Sequence, residues 1–366
     1  MDPYFHSCWH QPAPANRKLH EHFDGHKSTA RKPTEGAHAP CTLHPAPKMS
    51  LSPRTQAILL LTGHFSKAAD AVKPLTNSEW TRLVGWLRQK EASPEQLLTA
   101  EFEEILGGFN DEKISSRRLF ELLSRGSSLA LATEKWLRAG LWIMTRSDPD
   151  YPRRLKERLR TDAPPLLFGC GKRSLLDDGG LAIVGSRKVS EDDLEYTRKL
   201  ARKIADDGFS VVSGGAKGVD EAGMLGALEA EGTSVGVLAN GLLKAATSSK
   251  YRKHLMRGNL ALISTFSPET GFNVGNAMQR NKYVYCLADA CVVVASDTKG
   301  GTWTGAVENL KNGWVPLWVK PPDHPMPGNS RIVEHGARWL PALDELETSS
   351  LFEAPANAQP GLFDGE

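Results

Sequence analysis

The chain has 366 residues, 40% of them hydrophobic and 24% charged, with a formal net charge of +2 at pH 7. That is apolar material for two packed domains plus tails, and too even a charge balance to mark a nucleic-acid binder, so any basic surface must be local. With no signal peptide, no apolar run near ~18 residues and five scattered cysteines, the expectation is a protein of the reducing cytoplasm without a membrane span or disulfide framework.

Residues 1–48 hold seven of the eleven histidines and seven prolines, with no periodicity. On composition they read as a disordered arm, with Met49 as the natural start. Cys8, His10, Cys41 and His44 have the chemistry of zinc ligands, but their spacing is not that of a finger and no apolar pattern lies between the pairs. No metal is expected. From Met49 to about residue 138 apolar residues recur at helical spacing, as in Trp80, Leu83, Val84 and Leu87, and helix-start signals recur, as in Ser93-Pro94-Glu95. The pattern predicts a bundle of about five helices that carries no chemistry of its own.

Over 139–345 the texture changes to short β-rich runs between amphipathic helices. Expected strands are Leu141–Thr145, Leu181–Gly185, Phe209–Ser213, Ser234–Ala239, Ala261–Thr265, Cys291–Ala295 and Leu317–Val319. Most are continuous apolar runs, the mark of strands buried on both faces of a parallel sheet. Ser190 is a good N-cap, and Leu194, Thr197, Leu200, Ala201 and Ile204 form the inner stripe of the first crossover helix. The fold class is α/β, a doubly wound and mostly parallel sheet. Residues 346–366 lose the periodicity and read as a flexible tail.

In such a sheet, ligands bind at the carboxyl ends of the strands. Three segments are expected to meet there: Gly185-Ser186-Arg187; Ser213-Gly214-Gly215-Ala216-Lys217-Gly218-Val219-Asp220; and Thr298-Lys299-Gly300-Gly301-Thr302-Trp303-Thr304. Glycines admit a ligand close to the backbone, free amides at helix starts attract anions, and Arg187 and Lys217 add charge. Asp220 is expected to order its own loop. Between Lys250 and Lys282 six cations face one acid, Glu269, and Arg280-Asn281-Lys282 reads as the basic opening of an apolar helix, Tyr283–Ala290, and so as a phosphate clamp. The ligand is phosphorylated, either a nucleotide or a nucleic-acid strand. The absence of GxGxxG and of GxxxxGK[ST] argues against a dinucleotide and a P-loop, and no cofactor is expected.

These residues resemble the DNA-processing protein A family (DprA, also called Smf). The resemblance is carried by Asp150-Tyr151-Pro152, Ala163-Pro164-Pro165, Ala182-Ile183-Val184-Gly185-Ser186-Arg187, the run Val212 to Asp220, Arg280-Asn281 and Gly328-Asn329. It implies a SAM-like helical domain before an extended Rossmann-like core, binding of single-stranded DNA, homodimers, and delivery of the strand to the RecA recombinase in DNA uptake. It places Gly185, Ser186, Arg187, Ser213, Gly214, Gly215, Lys217, Gly218, Arg280, Asn281 and Lys282 around the DNA phosphates. The sequence departs from the family pattern at Glu221–Gly226, at Lys244–Ser249 and at Lys299–Thr302. The family's C-terminal winged helix is not expected either. Gln359, Leu362 and Phe363 resemble a peptide that docks on the replication sliding clamp.

Two other classes remain open. Gly214-Gly215…Gly218…Gly226 and Gly300-Gly301-Thr302…Glu308 are similar to motifs of LOG-type nucleotide phosphoribohydrolases, in which Arg280 and Glu308 would cleave an N-glycosidic bond. A nucleotide-sensing module is the third reading.

Overall fold

The computed structural model describes residues 51–65, 72–322 and 327–353. The histidine-rich arm with its cysteine–histidine pairs, and the peptide holding Gln359, Leu362 and Phe363, lie outside the described residues. Among the described residues no helix is long and apolar enough to cross a membrane.

Among the described residues five α-helices precede the first strand: α1 (Pro53–Thr62), α2 (Asn77–Gln89), α3 (Phe102–Leu106), α4 (Ser116–Leu123) and α5 (Gly126–Arg138). The caps are those the sequence offers. Ser52 accepts from the Thr55 amide at 3.1 Å, and Thr76 and Glu79 form a reciprocal capping box at the start of α2. The helices do not close a core of their own. Leu59, Leu83, Leu119 and Trp136 join a cluster with Phe168, Leu260 and Leu262 of the sheet, and the Trp136 and Phe168 rings meet edge-on at 5.3 Å.

Glu79 ties this region together. Its side chain is 9% exposed and accepts from Arg118 Nη1 at 2.8 Å, which draws its carboxyl from the ordinary 4.5 down to about 2 despite burial. A lowered carboxyl stabilises the fold fully above 4.5, and that contribution is lost as the pH falls through about 2. Glu79→Gln should therefore cost about 3 kcal/mol at neutral pH, with the gap to wild type closing in acid, read by urea unfolding at a series of pH values.

The nine strands among the described residues are β1 (Trp142–Thr145), β2 (Leu166–Gly171), β3 (Leu181–Val184), β4 (Val211–Ser213), β5 (Ser234–Val237), β6 (Leu260–Ser264), β7 (Ala290–Val293), β8 (Leu317–Val319) and β9 (Arg338–Trp339). Their order is β1-β2-β6-β5-β4-β3-β7-β8-β9, with the β1–β2 and β2–β6 pairs antiparallel and the rest parallel. The chain runs outward from β3 to β6 and then returns to lay β7 on the other side of β3. The strand order therefore reverses between β3 and β7. This is the doubly wound, mostly parallel α/β sheet expected from the buried apolar runs.

The intervening helices are α6 (Arg153–Leu159), α7 (Leu175–Asp178), α8 (Glu191–Asp206), α9 (Val219–Glu229), α10 (Leu242–Ala246), α11 (Ser249–Arg257), α12 (Val274–Leu287), α13 (Gly301–Asn312) and α14 (Pro327–Glu334). Alternate strand residues feed opposite faces. Leu181, Ile183 and Val292 pack with Leu200 and Ile204 of α8, whereas Ala182, Val184 and Val293 pack with Tyr285 of α12, Ala306 of α13 and Ile332 of α14.

Strand β9, two residues long, was not expected, and three further features differ from the sequence reading. Strand β2 was not among the expected strands because Gly169 and Gly171 weaken its pattern. Gly169 is required there, since any Cβ would overlap the Trp142 ring lying across it. Residues 346–353 are not a free tail. Thr348–Phe352 form a 3-10 turn, Leu346 and Leu351 are buried, and the Phe352 ring packs at a tilt against Phe209 at 4.8 Å. The segment is too short to show a period. Finally, α12 starts at Val274, capped by Asn273 Oδ1, which accepts from the Asn276 amide at 3.1 Å. Gly275 and Asn276 disguise its first turn, and Arg280-Asn281-Lys282 lies inside the helix instead of opening it.

Candidate nucleic-acid interface

The loops after β3 and β4 meet at the carboxyl edge of the sheet, beside the point where strand order reverses. The Ser186 amide donates to the Ala295 carbonyl at 2.9 Å, fixing the first loop to the end of β7. Gly218, at φ +99°, brings the second loop so close that a Cβ would press on the Ser186 carbonyl and on Arg187 Cα at 2.8 and 2.9 Å. The backbone N–H groups of Gly185 and Ala216 face the carboxyl of Asp220, in the first turn of α9, and favour its charged form.

Beneath these loops lies a buried ion pair. Arg280 is 4% exposed and Asp220 6% exposed. Arg280 Nη1 donates to the Val237 carbonyl at 2.9 Å and approaches Asp220 Oδ2 at 3.5 Å. The guanidinium lies directly on Gly214, where any side chain would collide with it. Burial raises the Asp220 carboxyl, opposed chiefly by the charge of Arg280. Burial likewise lowers Arg280, opposed by Asp220, and the positive charge of Arg187 adds to that lowering. Arg280 Nε is buried without a partner.

A cavity of about 320 Å³ opens above this pair, lined by Arg187, Gly214 to Lys217, Leu238, Ala239, Asn240, Ala245, Tyr251, Phe272 and Arg280. Arg187 and Lys217 are exposed at its rim. Backbone amides at the start of α9, two exposed cations and a third, buried cation in the floor form a surface suited to an anion, phosphate above all.

Of the residues expected here, Arg187, Gly214, Gly215, Lys217 and Arg280 line the cavity, and Gly185, Ser186 and Gly218 frame it. Ser213 is fully buried and donates to the Ile183 carbonyl at 2.6 Å, so it braces β4 against β3. Asn281 donates to the Gly301 carbonyl at 2.8 Å, which fastens α12 to α13. Gly300, Gly301 and Thr302 thus stand at the same sheet edge without joining the cavity lining. Lys282 lies over the Tyr283 ring at 5.3 Å. That ring borders a separate cavity of about 1060 Å³, lined also by Thr62, Asn77, Thr265 and Glu269. Among the described residues its lining carries a single lysine, Lys73, beside the acid Glu269, in place of the paired cations that suit phosphate.

The basic stretch also divides. Lys250 pairs with Glu221, and Arg257 pairs with Glu231 at 2.7 Å, while Arg252 and Lys253 stay exposed on α11. Asn240, Tyr251 and Phe272 entered the lining unannounced. Asn240 was findable from its place just past β5, whereas Tyr251 and Phe272 arrive from a helix and a loop that no strand-end motif marks.

Fold and site together define a doubly wound α/β protein with a cavity lined by Arg187, Lys217 and Arg280 at its switch point. The family model of DNA recombination-mediator protein A matches residues 142–349, and the chain belongs to that family. It is 28% identical to the DNA processing protein DprA of Bacillus subtilis over 57% of this chain and 70% of that one. It is 30% identical to the Streptococcus pneumoniae protein of the same name over 45% of this chain and 58% of that one. The crystal structure of DNA processing protein A from Streptococcus pneumoniae superposes with a TM-score of 0.61 at 21% identity, covering 82% of this chain and 99% of that one. That likeness extends the shared fold across the helical region as well as the sheet.

Proposed function

We propose that this chain binds single-stranded DNA in the cavity at the sheet switch point, as a non-catalytic DNA-processing protein. Arg187 and Lys217 neutralise adjacent phosphates, and the amides of Gly214 to Lys217 fix the register of the backbone. The observation that carries this reading is the pair of exposed cations flanking strand-end amides in an open cavity. Arg252 and Lys253 on α11 offer the next phosphates a path beyond it. We propose further, on the family resemblance, that the bound strand is protected and handed to a RecA-type recombinase during DNA uptake, with the protein acting as a homodimer.

A nucleotide phosphoribohydrolase would need Arg280 free to work with Glu308. Arg280 is instead engaged by Asp220 and by the Val237 carbonyl, which favours binding over catalysis. A cavity of about 320 Å³ also has room for a mononucleotide, so ligand length separates the readings. Fluorescence anisotropy with labelled oligonucleotides of increasing length, at about 50 and 200 mM salt, should give affinity that rises with length and falls steeply with salt. Length-independent binding of a single mononucleotide, with release of free base, would overturn the proposal in favour of an enzyme.

A further inference from the structure

Phe272 stands apart from the other apolar residues of the cavity. Leu238 and Tyr251 are 7% and 6% exposed, whereas Phe272 is 56% exposed. The ring thus stays largely in water beside the two exposed cations of the rim. Its backbone is held on both sides. The Gly241 amide donates to the Thr270 carbonyl at 2.9 Å, and the Leu243 amide donates to the Pro268 carbonyl at 3.0 Å. Glu269 pairs with Lys135 of α5 at 2.5 Å, and Asn273 caps α12 immediately after the ring. The ring is therefore presented by a pinned segment, and little ordering is left to be paid on contact.

The Arg187 guanidinium lies over this ring at 4.8 Å. A nucleotide whose phosphate sits on Arg187 carries its base one sugar away, within reach of the same ring. Every base has a flat π-face, and an exposed ring beside a cationic groove is the device by which sequence-tolerant binders hold a single strand.

We propose that Phe272 is a stacking platform for one nucleobase of the strand whose phosphate Arg187 holds; this rests on the single-stranded DNA reading of the cavity. The same ring orients Arg187, so the test must separate stacking from orientation. It must also exclude a contact between two copies, because Val274 and Met278, 63% and 40% exposed, sit one turn apart at the start of α12.

Wild type, Phe272→Ala and Phe272→Trp would be titrated with a labelled strand of about 30 nucleotides and with an abasic strand of the same length, at two salt concentrations. The oligomeric state of each protein would be measured by sedimentation. Phe272→Ala should weaken binding of the normal strand by about 5- to 100-fold. Abasic binding, the salt slope and the oligomeric state should stay unchanged, and tryptophan should restore affinity. Equal weakening of both strands with a shallower salt slope would overturn the proposal and leave the ring a mere support for Arg187. Equal weakening with altered self-association would overturn it in favour of an interface between copies. If wild type itself bound neither strand in a salt-dependent way, the DNA reading of the cavity would fail first, and stacking with it.

Discussion

Replacing Arg187 and Lys217 together by alanine should lower affinity for single-stranded DNA about 100-fold at low salt and leave the fold intact. Both side chains are exposed at the cavity rim, so neither contributes to the core. A hydrogen bond to a charged phosphate is worth about 1.5 kcal/mol at the low end of its range, roughly tenfold in affinity for each cation. The loss should shrink as salt rises. Two phosphate contacts removed from a single strand reduce the salt slope of log affinity by about 1.4. Anisotropy titrations of variant and wild type at several salt concentrations give both quantities. An unchanged slope would place the strand elsewhere on the protein.

The second large effect lies under the cavity. Asp220→Asn should destabilise the protein by about 3 to 5 kcal/mol, because it leaves the buried Arg280 guanidinium without its counter-charge. The carboxyl also faces the amides of Gly185 and Ala216, so the variant should loosen both loops and weaken DNA binding at temperatures where the fold survives. Combining Asp220→Asn with Arg280→Met should recover much of the stability, since no buried charge remains unpaired. Guanidinium unfolding of the single and double variants measures this coupling. Additive losses would mean that the two residues act separately. Gly214→Ala belongs to the same test. Its methyl group would collide with the guanidinium and displace it.

Much of the architecture was legible in one dimension. Strands β3, β7 and β8 are short apolar runs buried on both faces, and such runs announce a parallel sheet because helices must cover both sides. The start of α8 was readable from Ser190, which accepts from the Asp193 amide at 3.1 Å. Strand β2 was harder. Its glycines weaken a strand by every local measure, and only the Trp142 ring lying on Gly169 explains them. The end of the chain misled for a related reason. Leu346, Leu351 and Phe352 form no period, yet each meets a partner brought by distant strands or helices.

The candidate site divides along the same line. Arg187, Gly214, Gly215 and Lys217 were identifiable from sequence because strand-end loops rich in glycine and charge have few other uses, and the topology gathers such loops at one edge. Arg280 looked equally like a phosphate ligand, since charge and neighbours are all that a sequence displays. Whether an arginine faces solvent or lies beneath a glycine depends on the crossing of α12 over β4 and β5, and here that crossing buries it against Asp220 and Val237. Asn281 likewise turned out to fasten one helix to another. What the sequence alone determined was the class of fold and the loops that reach the ligand edge, because both follow from local periodicity and turn chemistry. Which cations are free and which aromatic ring stands beside them was decided only by the tertiary structure, because exposure is a property of packing between segments far apart in the chain.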